Sequence, residues 1–338
     1  MRKYLSASLI LIASAIVAFF IFFNYAKAPN LNEADYYVLK RYEDVAFAEP
    51  KDTFSVTTFN IGYLSGMTNN LPLGREREFF DTNLANAINL LKSLNPDIIG
   101  FQEIDVQSAR SFEVDQLDTI CSVLQFSQAY LSINWDVKYL PFPYWPPAQH
   151  FGKIISAQGI ASRFPMSNDT TLVLEKPTDN DIMYNAFYID RLIQKVDVEI
   201  AGKQVKLMNV HLEAFVENSR EEQAGVVKRE IEKYSDKMPV IVMGDFNGRP
   251  EYEESNIEAM QVIMSARHIK SSISEKDYRK NPHAFYTFSS GDPNQMIDYI
   301  LYNENYIDCI AARVVSEAGE ISDHLPLYSK LVIRDEID

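Results

Sequence analysis

Cysteine is scarce in this sequence, which has only Cys121 and Cys309 among its 338 residues. Two cysteines are too few for a disulfide-rich scaffold or a cysteine-rich zinc site. Glycine and proline are also few, at 12 and 15 residues, whereas 46% of the residues are apolar. This composition excludes collagen-like and low-complexity chains and indicates a folded globular protein.

The motifs of several enzyme classes are missing as well. The sequence contains no HExxH, no CxxC, no glycine-rich phosphate loop and no GxSxG. It therefore lacks the signatures of zinc peptidases, P-loop nucleotide hydrolases and serine hydrolases of the nucleophile-elbow type.

Basic residues are outnumbered, because 32 lysines and arginines stand against 47 aspartates and glutamates. The first 28 residues contain Arg2, Lys3 and Lys27 but no acidic residue, so the remaining chain carries a net charge of −18. This acidity disfavours a broad basic groove for nucleic acid, although a local basic patch remains compatible with it.

The N-terminal segment has no charged residue from Tyr4 to Phe23. A helix of that length, at about 1.5 Å per residue, just crosses a hydrocarbon core of about 30 Å. Because Arg2 and Lys3 precede it, the positive-inside rule predicts a cytoplasmic N-terminus and a non-cytoplasmic body. We therefore expect residues 1–28 to form an uncleaved membrane anchor that spans the bilayer through residues 4–23.

A cleaved signal peptide is the alternative interpretation of this segment. Ala26-Lys27-Ala28 has the small-x-small pattern of a cleavage site, and cleavage there would give a secreted protein. The following Pro29 and the length of the apolar stretch argue against cleavage. Residues 29–52 show no sustained period and are predicted to be a tether.

Residues 53–338 are predicted to form one α/β domain, because strand-like and helix-like segments alternate without a linker. Buried strands are expected at 53–60, 97–103, 239–244, 296–302 and 325–333, and helices at 76–94, 111–124 and 219–235. Ala201-Gly202 separates two β-rich runs and predicts a two-residue hairpin turn.

Polar residues interrupt or end these apolar runs at several places. Carboxylates and amides are ligands for Mg²⁺ or Mn²⁺, and histidines beside carboxylates suit proton transfer or charge stabilisation. The residues in question are Asn60, Glu103, His211, Asp245, Asn247, Asp298, Asp323 and His324.

Seven ordered motifs contain these residues or lie between them. They are TFNIG (58–62), GFQE (100–103), GIASRFP (159–165), NVHLEA (209–214), GDFN (244–247), IDYIL (297–301) and SDHLPL (322–327). In order and spacing they resemble the endonuclease/exonuclease/phosphatase superfamily, the deoxyribonuclease-I-like group. The resemblance implies a four-layer αββα sandwich of two packed, mostly antiparallel sheets flanked by helices, with the active site where strand ends converge.

The resemblance also implies roles for the polar residues. Glu103 matches the principal Mg²⁺ ligand of the family, with Mn²⁺ as a substitute, and Asn60 and Asp323 match further groups of the metal site. The matched catalytic residues are His324 with its partner Asp298, Asp245 and Asn247 for the water and phosphate, and the second histidine His211.

The expected function is therefore a Mg²⁺-dependent phosphoester hydrolase. The predicted anchor and the net negative charge favour a lipid headgroup or a small phosphoester as the substrate. A nuclease and a non-catalytic binding member of the family are the alternative functions. We expect a monomer. Arg191 is predicted to form a structural ion pair. The aromatic, proline-rich loop 139–147 suits stacking on a base, contact with a membrane interface, or cover for a sheet edge.

Overall fold

The computed structural model describes residues 2–250, 252 and 258–334. The described strands are β1 Tyr37–Arg41, β2 Thr53–Asn60, β3 Ile98–Asp105, β4 Gln128–Leu140, β5 Gly152–Ser162, β6 Met166–Val173, β7 Leu192–Ile200, β8 Lys203–His211, β9 Val240–Asp245, β10 Ile269–Ser271, β11 Asp298–Asn303, β12 Ile307–Val314 and β13 Leu327–Ile333. The described α-helices are α1 Arg2–Ala26, α2 Arg77–Leu94, α3 Gln116–Leu124, α4 Ile182–Asn185, α5 Glu217–Glu232, α6 Glu258–Met264 and α7 Glu275–Lys280.

The strands form two mixed sheets. One has the order β1-β4-β5-β3-β2-β13-β12 and the other the order β10-β11-β9-β8-β7-β6. Among the described pairings only β2 with β3 and β8 with β9 are parallel. Helix α3 packs on β3 and β4, while α5 and α6 pack together. The predicted sandwich of two mostly antiparallel sheets flanked by helices is confirmed.

The sheets pack face to face through strands that are buried along most of their length, among them β2 and β9. From Phe54 to its end, β2 is buried, and all of β9 is buried. A side chain at Gly100 of β3 would place its Cβ 2.6 Å from Cε of Met243 in β9. Glycine at this position therefore lets the two sheets approach each other.

The helices follow the predicted periodicity, with shifted ends. Helix α2 ends where Asn95 adopts a left-handed conformation with φ of 44°. The helix predicted at 111–124 begins later, at Gln116, because the Asp115 side chain accepts a hydrogen bond from the amide of Asp118 and caps the first turn.

Residues 29–52 differ from the predicted tether, since part of this segment belongs to the folded body. Strand β1 pairs antiparallel with β4 at the edge of the larger sheet. The Asp136 carboxylate accepts hydrogen bonds from the amides of Asn30 and Leu31, both at 2.9 Å, and from the Tyr36 hydroxyl at 2.9 Å. This edge strand forms by pairing with a strand that is distant in sequence. Its own residues therefore show only a weak strand pattern.

Helix α1 contains a stretch, Ser6–Ala26, that is long and apolar enough to cross a membrane. A signal sequence can have the same properties, so both interpretations of the segment stand. The last turns of α1 contact the folded body, because the ring of Phe22 lies 5.8 Å from Tyr139 and the ring of Phe23 lies 5.5 Å from Phe187.

Candidate active site

The strand ends converge as the family resemblance implied. Parallel strands β8 and β9 end together, with His211 opposite Asp245. Strand β11 begins opposite the end of β9, with Asp298 also paired to Asp245. In the other sheet β2 ends at Asn60 beside β3, which carries Glu103. Two sheets thus deliver their polar residues to one place.

Unusual backbone conformations lie next to these strand ends. Gly244 has φ of +146°, and a Cβ there would lie 1.9 Å from the Val210 carbonyl oxygen, so only glycine fits before Asp245. Glu103, at an irregularity in the pairing of β3, and Asn247 have φ of 50° and 49°. Such conformations in residues other than glycine are uncommon and cluster at functional sites.

His324 and Asp298 form a buried pair. Nδ1 of His324 lies 2.9 Å from Oδ2 of Asp298, and Nε2 lies 3.7 Å from Oδ2 of Asp245. Burial lowers the pKa of His324, but the carboxylates of Asp298, Asp245 and Asp323 raise it well above its usual value. These carboxylates therefore favour the charged form of the imidazole.

Asp245 lies at the centre of the cluster. Burial raises its pKa, and the neighbouring Asp298 adds to the rise while His324 opposes it. Its Oδ2 accepts a hydrogen bond from Nδ2 of Asn60 at 3.0 Å, and its Oδ1 accepts one from the amide of Asn247 at 2.9 Å. The side-chain amide of Asn247 donates to the carbonyl of Leu212 at 3.0 Å. The orientations of Asp245 and Asn247 are thus coupled.

His211 has a different environment. Its Nε2 lies 3.5 Å from Oδ2 of Asp245 and 2.5 Å from Nη1 of Arg191, so Nε2 accepts a hydrogen bond from the guanidinium. Burial lowers the pKa of His211 well below its usual value, and the positive charges of Arg191 and His324 lower it further. His211 is therefore neutral.

Arg191 is itself held by a buried carboxylate. Its Nε lies 3.7 Å from Oε2 of Glu213, with the two side chains 5% and 0% exposed. Oε1 of Glu213 accepts hydrogen bonds from the Tyr188 hydroxyl at 2.7 Å and from the amide of Phe215 at 2.9 Å. The predicted ion pair of Arg191 exists, and it also brings the guanidinium to His211.

The residues around Glu103 suit a divalent cation. Nδ2 of Asn69 donates to Oε2 of Glu103 at 3.2 Å and to Oδ2 of Asp323 at 3.1 Å, so two carboxylates share one amide. Burial raises the pKa of Asp323, and the charge of Glu103 adds to the rise although His324 opposes it. Oδ1 of Asn69 is buried and has no hydrogen-bond partner among the described residues. A hard cation would neutralise the carboxylates and find oxygen ligands here.

The orientation of Asn60 differs from that of a metal ligand. Its Nδ2 faces Oε1 of Glu103 at 3.2 Å, and its Oδ1 accepts a hydrogen bond from the amide of Gly62 at 3.1 Å. With this orientation Asn60 aligns the carboxylates of Glu103 and Asp245 by donating to both, so its predicted ligation would require the amide to turn.

A second group could also hold a cation. One ligand atom each from Asp245, Asp298 and His324 lie within 4.8 Å of one another. The hydrogen bond between His324 and Asp298 accounts for much of this proximity. We therefore favour the Glu103 and Asp323 carboxylates as the ligands.

The structure brings all eight predicted site residues together. Asn69 and Arg191 join them, although neither was predicted to be a site residue. A signal for Arg191 was present, because a two-residue turn at Ala201-Gly202 pairs Leu192 with His211. Arg191 directly precedes Leu192, so this register places its backbone near that histidine. Asn69 belongs to the stretch 68–77, which its Asn, Pro and Gly residues predict to be a loop near Asn60, but no pattern predicts that its side chain contacts the carboxylates.

The two-sheet sandwich with a polar cluster at its converging strand ends is the architecture of metal-dependent phosphoester hydrolases of the deoxyribonuclease-like class. A model described as "Endonuclease/Exonuclease/phosphatase family" matches residues 57–324 of this chain. Because that match covers well over half of the sequence, the chain belongs to this family, whose members hydrolyse phosphoesters and typically depend on divalent metal ions.

Solved structures show the same fold. The human Nocturnin catalytic domain with bound sulfate is 18% identical, with a TM-score of 0.59 over 86% of this chain and 98% of that one. An endonuclease/exonuclease/phosphatase from Beutenbergia cavernae is 17% identical, with a TM-score of 0.59 over 84% and 72%. A mannosyl-6-phosphatase from Bacteroides thetaiotaomicron is 16% identical, with a TM-score of 0.57 over 82% and 99%. No curated protein sequence matches the chain.

Proposed function

We propose that this protein is a Mg²⁺-dependent phosphodiesterase or phosphatase that acts on a lipid headgroup or small phosphoester outside the cytoplasm. The observation that carries the proposal is the buried set of Asp245, His324 and Asp298 beside the carboxylates of Glu103 and Asp323. Hydrolysis of a phosphoester needs a positioned water, neutralised phosphoryl charge and a stabilised leaving group.

Two carboxylates would hold the cation in this proposal. Glu103 and Asp323 offer hard oxygen ligands and share the side-chain amide of Asn69, whose Nδ2 donates to both carboxylates. When bound, Mg²⁺ supplies Lewis-acid stabilisation of the phosphoryl oxygens. Asn60 keeps Glu103 aligned with Asp245 through its donated hydrogen bonds.

His324 and Asp245 divide the remaining work. The charged imidazole of His324 points Nε2 away from Asp298 and can donate to a phosphoryl oxygen as negative charge develops. Asp245, whose pKa burial raises, can accept a proton from the attacking water and orient it. The Asn247 amide bond to Asp245 fixes the direction of that carboxylate.

Arg191 and the neutral His211 complete the anion-binding part of the proposal. The guanidinium lines the cavity that holds the site, and its planar array of donors matches the oxygens of a phosphoryl group. It provides a permanent cation for a phosphoryl oxygen, while Glu213 prevents it from turning away.

The test is an assay of the full-length chain in lipid nanodiscs with Mg²⁺ against phospholipids, inositol phosphates, a soluble aryl phosphodiester and plasmid DNA. We expect EDTA to abolish hydrolysis, and Glu103→Gln to lower the apparent affinity for Mg²⁺ by about 10–100-fold. Glu113→Gln is the matched control, because Glu113 is exposed and pairs with Lys153.

The assay also distinguishes the proposal from the two alternative functions. Cleavage of DNA but of no lipid or small phosphoester would replace the proposal with a nuclease. Inactivity towards every phosphoester would favour a non-catalytic member of the family.

A further inference from the structure

The cavity that holds the site extends well beyond it. Its volume is about 1340 Å³, larger than the roughly 300–1,000 Å³ of a pocket for a drug-sized ligand. Glu103 and His324 lie at its polar end, and α1 lines another part through Phe19, Phe22 and Phe23. The cavity therefore joins the phosphoester site to the apolar N-terminal helix.

Much of the remaining wall is apolar, although Asp181, Glu217, Arg220, Glu221 and Arg249 also line the cavity. Phe142 and Tyr144 contribute from the loop after β4, and Met183 and Phe187 contribute from the α4 region. Phe23 of α1 packs on Phe187 with ring centroids 5.5 Å apart, so the helix forms part of the wall.

Several apolar side chains of this wall are exposed. Phe215 is 77% exposed, Tyr144 is 74% exposed and Met183 is 45% exposed. A cluster of exposed apolar side chains around one cavity marks a binding surface for an apolar partner. The adjoining Trp145, also in the loop after β4, is 78% exposed and extends this surface.

The cavity is polar at the site and apolar beside α1, and this pairing restricts the kind of ligand that it can hold. A sugar or inositol phosphate carries hydroxyl groups, which would lose their hydrogen bonds to water against aromatic walls. A nucleic acid carries many charges, and residues 29–338 have a net charge of −18. An amphiphile with one phosphoester and a long alkyl tail fits both ends.

Resting on the hydrolase function proposed above, we propose that the substrate is a membrane phospholipid whose acyl tail lies in this cavity. The phosphoester faces Glu103 and His324, and the tail lies along Met183, Phe187 and the α1 phenylalanines. Phe19, Phe22 and Phe23 belong to the Ser6–Ala26 stretch that can cross a membrane. The same helix surface thus continues from the bilayer into the cavity, and the lipid comes from the bilayer around α1.

The first test compares hydrolysis of a long-chain phospholipid with that of its headgroup phosphoester without acyl chains, by the full-length chain in nanodiscs. Met183→Gln keeps the side-chain length but adds a polar amide to the wall. We expect it to lower kcat/KM for the long-chain lipid, relative to the chain-free substrate, by about tenfold. Ile310→Gln is the matched control, because Ile310 is 56% exposed on β12 and lies outside the cavity.

The second test does not depend on activity. A phospholipid with a photoreactive group in its acyl chain is cross-linked to the full-length chain in nanodiscs, and labelled peptides are identified by mass spectrometry. We expect labelling of residues 139–147 and 181–188, and less of it in Met183→Gln.

The outcomes separate this inference from the proposed function. Equal hydrolysis of chain-free and long-chain substrates, with no label in the cavity, overturns the tail site and leaves the hydrolase standing. Cavity labelling without hydrolysis of any phosphoester supports lipid binding and overturns the hydrolase. Cleavage of plasmid DNA with neither lipid hydrolysis nor labelling overturns the inference.

Discussion

The two histidines of the site share one neighbour but have opposite electrostatic surroundings. Nε2 of His324 lies 3.7 Å from Asp245, and Nε2 of His211 lies 3.5 Å from the same carboxylate oxygen. Carboxylates surround His324 and raise its pKa, whereas burial and Arg191 lower the pKa of His211. Both rings are buried, so the difference between their pKa shifts comes from the side chains that face each ring.

This difference assigns the two halves of the site different tasks. The half with Asp298 keeps one mobile proton on His324, which suits stabilisation of a developing charge. The half with Arg191 offers a permanent cation and a neutral imidazole, which suit binding of an anion. Substitutions in the two halves should therefore have different consequences.

Removal of His324 should have the largest effect. His324→Ala removes the charged imidazole, and we expect kcat for phosphoester hydrolysis to fall by about 10²–10⁴-fold. His268→Ala is the control, because His268 is exposed and faces Asp236. Steady-state kinetics with a circular dichroism check of folding measures the effect. Full activity in folded His324→Ala would remove this histidine from the mechanism.

Neutralisation of Asp298, which pairs with His324, should have an intermediate effect on activity. Asp298→Asn keeps the shape but removes the negative charge that contributes most to raising the pKa of His324. We expect the pKa of His324 to fall and kcat to drop by about 10–100-fold. The loss of activity with rising pH should then begin at a lower pH than in the unsubstituted protein. NMR titration of the imidazole and a pH–rate profile provide the measurements, with the exposed pair member Asp308→Asn as control. An unchanged pH profile would show that Asp298 does not act through His324.

The smallest expected effect is that of His211, beside Arg191, on the pH dependence of the free energy of unfolding. Because folding lowers the pKa of His211, the unfolded chain binds a proton below about pH 6.5 that the folded chain does not, and acid therefore destabilises the fold. We expect His211→Asn to reduce the stability lost between about pH 7 and about pH 5.5 by roughly 1 kcal/mol. Urea unfolding in EDTA measures it, with exposed His283→Asn as control. A larger acid loss in His211→Asn would reverse the assigned sign.

The sequence predicted the polar cluster well because each member lies at or beside a strand end. Apolar runs predict the strands, and the polar residue that ends a run predicts a site residue, as for Asn60 at the end of β2 and Asp245 at the end of β9. Parallel pairing of neighbouring strands then brings such residues to one edge.

Features that depend on distant partners escaped prediction. Strand β1 pairs with β4 across about ninety residues of sequence, and β12 has a largely exposed pattern. Asn69 reaches the carboxylates because its loop is fixed by a hydrogen bond from the amide of Asn70 to the Tyr63 hydroxyl at 3.1 Å. Loop paths of this kind follow from tertiary contacts, which local periodicity does not encode.

The joint between α1 and the body has a mechanical consequence. The carbonyl of Ala28 accepts a hydrogen bond from the amide of Lys138 at 2.9 Å, only two residues after the helix ends, and Asp136 holds the amides that follow. This connection leaves no long flexible linker between the helix and the domain. With α1 in a bilayer, the domain would stay at one height above the lipid. It would reach its substrate by lateral diffusion in the membrane and not through the length of a linker.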